Sequence, residues 1–401
     1  MKIKYFNSNF KNLDTNKNID HNIFNIIKKM PSLNIVFDKN LLDETIKVAN
    51  QFKNKKEKII IFGTGGSNLG ARALNNIVSN KSIILEFYDN IDPLNFEKNF
   101  ENVNFETTGF LVISKSGKTP ETLSQFSCLY EKAIKANQVQ NFFSNTLIIT
   151  EFKDSPLFTI AKDNNCLLLE HQKDIGGRYS VFTNVGLVPA IISGLSVQEL
   201  LSGASDVIDN IETYSPYDLG RYLTHRENIH FTNNVLMTYS DSLYFFGKWY
   251  LQLWAESIGK KNRGITAIHS VGTTDQHSQL QLYLDGPRDK YFTFITTDHT
   301  KKGIKINDQL FKNTSIDYFK NKTMGDLMQA EQHATLETFK QKNFNFREIY
   351  MPNIDEKNLG KLLSFSIMET IASCMYLNVD PFDQPAVEKG KKLTKTYLRQ
   401  F

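Results

Sequence analysis

The chain is poor in the residues that make covalent cross-links or thiolate metal sites. It holds three cysteines, Cys128, Cys166 and Cys374, far apart and without a CxxC pair. That pattern excludes a disulfide framework and a zinc ribbon, and the thiols are expected to be reduced and packed in the core of an intracellular protein. Long apolar runs are missing too. A bilayer span needs about 18 to 20 apolar residues, and the stretch "VGLVPAIISGLSV" falls short of that. The first residues, "MKIKYFNSNFKNLDTNKN", lack the continuous apolar centre of a signal peptide, so a cytoplasmic location without membrane contact is expected. An excess of one charge is also absent. The formal net charge is +4, and the lysines are scattered rather than striped, so nucleic acid is not an expected partner.

What remains is an ordinary globular composition, 40% hydrophobic and 22% charged, in a chain of 401 residues long enough for more than one core. Strand and helix signals alternate. "KIIIFG", "KSIILEFYD", "GFLVISKS" and "NTLIIT" read as buried strands, with helices expected from Asn68 to Val78 and after Thr119. Short apolar runs joined by helices predict an α/β fold with a parallel sheet covered on both faces. The alternation lapses at "GGRYSVFTNVGLVPAIISG", which looks helical, and resumes at "NNVLMTYS" and "YFTFITT". The expected partition is a larger α/β domain over 1–225 with an N-terminal helical segment, a second over 226–355, and C-terminal helices with a tail over 356–401.

Two loops carry the chemistry. "IIIFGTGGSNLGARAL" (59–74) breaks from a strand into Gly63, Gly65, Gly66 and Ser67. A dinucleotide fingerprint starting at Gly63 fails because its third glycine falls on Asn68. A Walker loop ending in "GKT" fails because its first glycine falls on Val112. "VISKSGKTPET" (112–122) reads as strand, loop and helix, with Thr119 as N-cap, Pro120 in the first helical position and Glu121 in the first turn. Ser114, Ser116 and Thr119 supply hydroxyls, and the helix start supplies free amide hydrogens. Together with Gly66 and Ser67 they make an anion cradle suited to a phosphate monoester, placed where open α/β sheets bind ligands.

These loops resemble the sugar-phosphate loops of the phosphoglucose isomerase family. "DIGGRYSVFTNVGLVPA" (174–190) is similar to that family's first signature and "FDQPAVEKGKK" (382–392) to its second. The resemblance runs from residue 63 to 392. It implies two doubly wound, parallel-sheet subdomains of the sugar-isomerase type, a homodimer with sites at the subunit junction, and no metal or organic cofactor. The implied reaction is aldose–ketose isomerisation of D-glucose 6-phosphate and D-fructose 6-phosphate through a cis-enediol, a step of glycolysis and gluconeogenesis. Lys115 would join the phosphate loop.

The catalytic candidates combine local chemistry with that resemblance. In "FFGKWYLQLWAESIGKK" (245–261), Phe246, Trp249, Tyr250, Leu253, Trp254 and Ile258 coat nearly all sides of a helix, which is therefore expected to be buried. Gln252 and Glu256 share one face. The stretch is similar to the family helix ending in "ESNGK", with Ile258 in place of the Asn, and the match makes Glu256 the catalytic base and Gln252 a substrate contact. In "TTDQHSQLQLYLDGP" (273–287), Asp275 is expected to cap a helix with His277 in its first turn, where the dipole favours a neutral imidazole. Long-chain family members place a catalytic His further along, where this chain has Leu284. Shorter bacterial members place it where His277 stands, so the ring-opening proton transfer is carried to His277. By resemblance Arg178 faces the developing enediolate and Lys391 assists ring opening. Gln384 and Lys391, seven apart, are expected on one helical face.

Two other functions stay open. An isomerase that also accepts mannose 6-phosphate would need the same loops, because they read the phosphate and not the epimer at C2. A non-catalytic sugar-phosphate sensor would use the loops but would not need an acid in an apolar helix. An aminosugar synthase is disfavoured, since its glutaminase half uses an N-terminal cysteine and here Lys2 follows Met1.

Overall fold

The computed structural model describes residues 1–8, 17–79, 81–225, 228 and 230–400. Ten strands among the described residues build two five-stranded sheets. They are β1 (Lys2–Phe6), β2 (Lys58–Phe62), β3 (Ile84–Tyr88), β4 (Thr108–Ile113), β5 (Thr146–Thr150), β6 (Leu167–Glu170), β7 (Asn233–Thr238), β8 (Thr266–Val271), β9 (Lys290–Thr297) and β10 (Phe346–Met351).

The first sheet has the order β3-β2-β4-β5-β6 and is parallel throughout. Every residue of β4 and β5 is buried, which explains why both read as unbroken apolar runs. This is the doubly wound order in which the chain reverses its progress across the sheet between β2 and β4. The second sheet, β1-β10-β9-β7-β8, repeats the plan with four parallel strands, and β1 is added antiparallel to β10 from Lys2↔Tyr350 to Phe6↔Phe346. The N-terminal strand therefore crosses the expected 225/226 boundary. It was not foreseen, because "KIKYF" is polar on its outer face and half-exposed.

One apolar cluster runs between the sheets. Helices Asn184–Ser193, Val197–Asp209, Tyr244–Ile258 and Glu356–Tyr376 all contribute to it. Glu356–Tyr376 is buried from Leu359 to Cys374 apart from Lys361, so it belongs to the shared core and not to a peripheral tail. Two aromatic clusters fill the outer faces, one around Phe62, Phe110 and Phe142 and one around Phe292, Phe294 and Phe339. Leu284 packs against the latter. The helix expected over Asn68–Val78 is shorter, Leu69–Asn75, and a 3-10 turn over Gly65–Ser67 precedes it. All three cysteines are free, but Cys128 is exposed and Cys166 half-buried, so only Cys374 is the core thiol expected. No helix among the described residues is long and apolar enough to cross a membrane.

A buried ion pair ties the second sheet to this core. The Arg347 guanidinium on β10 donates to both carboxylate oxygens of Glu369, at 2.7 Å on its second arm, and through Nε to Thr293 Oγ1 at 3.0 Å. Both side chains are almost wholly excluded from solvent. Removing one partner leaves an uncompensated buried charge, worth about 3–5 kcal/mol. Glu369→Ala is expected to lower stability by that amount, read as a reduced urea midpoint at unchanged slope. An unchanged midpoint would show the pair to be dispensable.

Candidate active site

The reversal between β2 and β4 opens a crevice at the carboxyl ends of the strands, and both glycine-bearing loops lie there. Gly63–Ser67 follows β2 and Ser114–Thr119 follows β4. Thr119 stands at the N-cap of helix Pro120–Lys135, with Pro120 and Glu121 placed as expected. Its hydroxyl does not cap the helix. It pairs with Ser114 Oγ at 2.8 Å instead, so the two hydroxyls meet in front of a helix start whose first amides have no intrahelical acceptor. Ser116 Oγ, exposed, accepts from Lys118 N at 3.2 Å. Gly117 completes the bend at φ +64°, and a Cβ there would lie 2.2 Å from Ser155 Oγ.

A third loop stacks on the first. A Cβ on Gly66 would lie 2.1 Å from the carbonyl carbon of Gly177 and 2.6 Å from Arg178 N. The contact continues into Ser180 Oγ, which donates to Gly177 O at 2.7 Å and approaches Gly66 O at 3.4 Å. It sets the start of the 3-10 segment Gly177–Phe182, whose second residue is Arg178.

Arg178 is the hub. Its side chain is 4% exposed, yet among the described residues its one acidic partner is Glu256, Oε2 at 3.5 Å. Nε donates to Ser257 Oγ at 2.8 Å and one arm to Gln384 Oε1 at 3.0 Å. The other arm reaches the carbonyls of Pro381 at 2.6 Å and Asp383 at 3.2 Å. Tyr179 OH adds Pro381 O at 2.9 Å and meets Ser257 Oγ at 2.8 Å. Burial holds the Tyr179 phenol up at about 12, so it stays a neutral donor.

The second sheet supplies the acid. Helix Tyr244–Ile258 follows β7, and Phe246, Trp249, Tyr250 and Trp254 on it are buried as expected. Glu256 is not. Its side chain is 34% exposed, on the open side of the helix beside the crevice. Gln252 Nε2 donates to Glu256 Oε1 at 3.0 Å, and Gln252 lies against Gly65 of the first loop. Gln252 Oε1 is buried and has no partner among the described residues. Glycine turn, Gln252, Glu256 and Arg178 therefore form one continuous line.

Lys115 points elsewhere. Its ammonium donates to the carbonyls of Lys173 at 2.7 Å and Ile175 at 2.9 Å and stands 3.7 Å from Glu151 Oε1. Burial lowers its pKa and Glu151 opposes that shift. Two further candidates, His277 and Lys391, lie on the surface of the chain. His277 is exposed and ends a 3-10 turn over Thr274–Gln276; helix Leu280–Asp285 begins only later, so it has no first-turn dipole. Asp275 does not cap that helix: its carboxylate accepts from Val271 N at 2.7 Å and Ser278 Oγ at 2.7 Å. Lys391 rides on the exposed helix Glu388–Leu398 and pairs with Glu388 at 2.7 Å. Gln384 precedes that helix and a separate 3-10 turn, so the expected shared face does not form.

Comparison with known proteins places the chain as a whole. The family model described as phosphoglucose isomerase matches residues 28–401. The chain belongs to the phosphoglucose isomerase family. A glucose-6-phosphate isomerase of Campylobacter jejuni is 33% identical over 373 residues, spanning 90% of this chain and 89% of that protein. Another, of Carboxydothermus hydrogenoformans, is 33% identical over 380 residues, spanning 88% and 82%. Among solved structures, a hypothetical protein of Thermus thermophilus superposes with a TM-score of 0.88 at 24% identity, covering 99% of this chain and 100% of that one. A glucose-6-phosphate isomerase of Chlamydia trachomatis gives 0.76 at 21%, covering 89% and 73%. At those identities the structural likeness is one of fold.

Within this phosphoglucose isomerase site, sequence reasoning missed Ser257, Tyr179 and Lys260. Lys260 Nζ donates to Ser257 O at 2.8 Å and to Asp380 O, and pairs with Asp383 at 3.1 Å, fastening the helix of Glu256 to the segment that carries Gln384. Its sequence signal was its place as the last residue of the stretch matched to "ESNGK", to which no role was given.

The Gly66–Gly177 contact leaves no room for a methyl group, and moving either loop by about 1 Å costs on the order of 100-fold in rate. Gly66→Ala is expected to lose isomerase kcat/KM by about that factor and also to lower the melting temperature, since the atoms it meets are backbone and overpacking costs about 1–3 kcal/mol. Retention of full activity would show that the loops do not need to touch.

Proposed function

We propose that the chain interconverts D-glucose 6-phosphate and D-fructose 6-phosphate, with Glu256 as the base and Arg178 as the fixed positive charge opposite it. The observation that carries this is the placement of a buried guanidinium 3.5 Å from a half-open carboxylate, beside two phosphate-type loops. Ser67, Ser114, Ser116 and Thr119 with the neighbouring amides hold the phosphate. Glu256 takes the proton from C2 and returns it to C1. Between these steps the substrate is an enediolate, and a preorganised cation is most useful where that charge develops. Gln252 and Gln384 bracket the carbon chain. Oxidation at C2 and reduction at C1 occur in one molecule, so the reaction needs no external electron carrier.

Ring opening is assigned to His277 with Lys391, at a site completed at the junction with a second copy of the chain. Support comes from their exposure in the single chain and from apolar surface left open nearby in sequence. Helix Glu388–Leu398 exposes Leu393, Tyr397 and Leu398, and the stretch before helix Met324–Gln341 exposes Ile304, Leu310 and Tyr318. Such surface usually marks an interface. The working form is a homodimer in the cytoplasm, where phosphorylated sugars enter glycolysis and leave gluconeogenesis.

A coupled assay with fructose 6-phosphate, run beside mannose 6-phosphate, tests the substrate. Glu256→Gln keeps the shape and the Gln252 contact but removes the base, and a positioned general base is worth about 10²–10⁴-fold. Its kcat is expected to fall by that factor with KM little altered. Near-normal turnover would remove Glu256 from the mechanism.

A further inference from the structure

Lys115 sits between two residues of the phosphate cradle, Ser114 and Ser116, and a cation there invites assignment to the phosphate. Its geometry says otherwise. The ammonium gives two of its three N–H donors to carbonyls, Lys173 O at 2.7 Å and Ile175 O at 2.9 Å, and faces the Glu151 carboxylate as an ion pair at 3.7 Å, a carboxylate that Lys153 also pairs with. Turning Lys115 to a phosphate would take its donor from both carbonyls. The backbone is held on the same side, because Lys115 O accepts from Glu151 N at 3.2 Å. His171, behind this junction, is kept neutral by burial, with its pKa pushed down to about 4, and adds no competing charge.

The two carbonyls belong to the approach to Arg178. Ile175 N closes a turn on Gln172 O at 3.3 Å, Gly176 and Gly177 follow, and Tyr179 N returns to Gly176 O at 2.9 Å. Lys115 thus ties the loop that grips phosphate to the loop that aims the guanidinium. We propose that Lys115 is a positioning residue that couples the phosphate loop to Arg178 through the carbonyls of Lys173 and Ile175. Binding of the non-reacting phosphate then orders the charge that acts on C1 and C2, which is how remote binding energy raises kcat. The proposal rests on the isomerase function above, in which Arg178 stabilises the enediolate.

The test compares Lys115→Met, Lys115→Gln and Lys115→Arg in the full chain, with fructose 6-phosphate as substrate and inorganic phosphate as competitive inhibitor. Turnover by the unmodified protein checks the isomerase reading independently. Misplacement of a catalytic group by a fraction of an ångström to 1 Å costs about 10- to 100-fold, so kcat is expected to drop by that factor in Lys115→Met. It should recover in the order Gln, then Arg, as donors return. KM and the phosphate inhibition constant should stay within about threefold in all three, since the hydroxyl and amide ligands are untouched. If Lys115→Met does not fold, the Gln and Arg variants carry the same comparison. A rise in KM and in the phosphate constant at constant kcat would make Lys115 a phosphate ligand and overturn the proposal. Unchanged kinetics in the variants would overturn it equally.

Discussion

A guanidinium buried to 4% exposure and left only partly neutralised is the constraint on which this site is built. Two buried arginines show the difference. Arg347 is closed by a two-pronged pair with Glu369, and its charge is cancelled where it stands. Arg178 is held almost wholly by neutral oxygens, those of Ser257, Gln384, Pro381 and Asp383, with one carboxylate at 3.5 Å. Those contacts satisfy its donors, so burial is tolerated. They do not cancel its field, which remains available to an anion arriving beside Glu256. The first arrangement stabilises structure; the second stores an electrostatic preference for a charge not yet present.

Holding that arginine requires parts from the whole chain. The 3-10 segment bearing it follows the first sheet, Ser257 and Glu256 come from a helix of the second, and Pro381–Gln384 comes from the segment after the central helix. The crevice lies at the ends of the paired strands β2 and β4, where the chain reverses its progress across the first sheet. It becomes a site because Gln252 of the second unit closes against Gly65 of the first. A single doubly wound sheet could bind the phosphate. It could not also bring a carboxylate and a guanidinium to adjacent carbons.

The parts legible in the sequence were those where burial leaves a local mark. β2, β4 and β5 are buried on both faces and read as apolar runs, and the glycine turns stand out because no other residue fits them. The edge strands β1 and β8 escaped because half of each faces water, and the four-residue β6 because it is so short. The helix of Glu256 was recognised by its aromatic coat, but the same coat misled about the acid itself, which lies on the one side the coat leaves open. The sequence put Lys115 in the phosphate loop and Lys260 at the end of the Glu256 helix, but it could not show what either holds, since Lys115 reaches carbonyls some 60 residues away and Lys260 one 120 residues away. A carbonyl has no side chain to advertise it. For His277 and Lys391 the local helix pattern was wrong, and only the family resemblance singled them out.

The partial exposure of Glu256 then acquires a physical meaning. A base sealed in an apolar interior would be costly to keep ionised without a partner, and a base fully in water would feel little of Arg178. At 34% exposure the carboxylate keeps one side open to water and is tethered by Gln252 on the other. Substrate held by the phosphate loops would cover the remaining side and expel that water, and the interaction between guanidinium, carboxylate and developing enediolate would strengthen only then. The electrostatic asymmetry around Arg178 is therefore cheap to maintain while the site is empty and large while it is occupied. A cation already paired as tightly as Arg347 could not behave in that way, because its field would be spent before the substrate arrived.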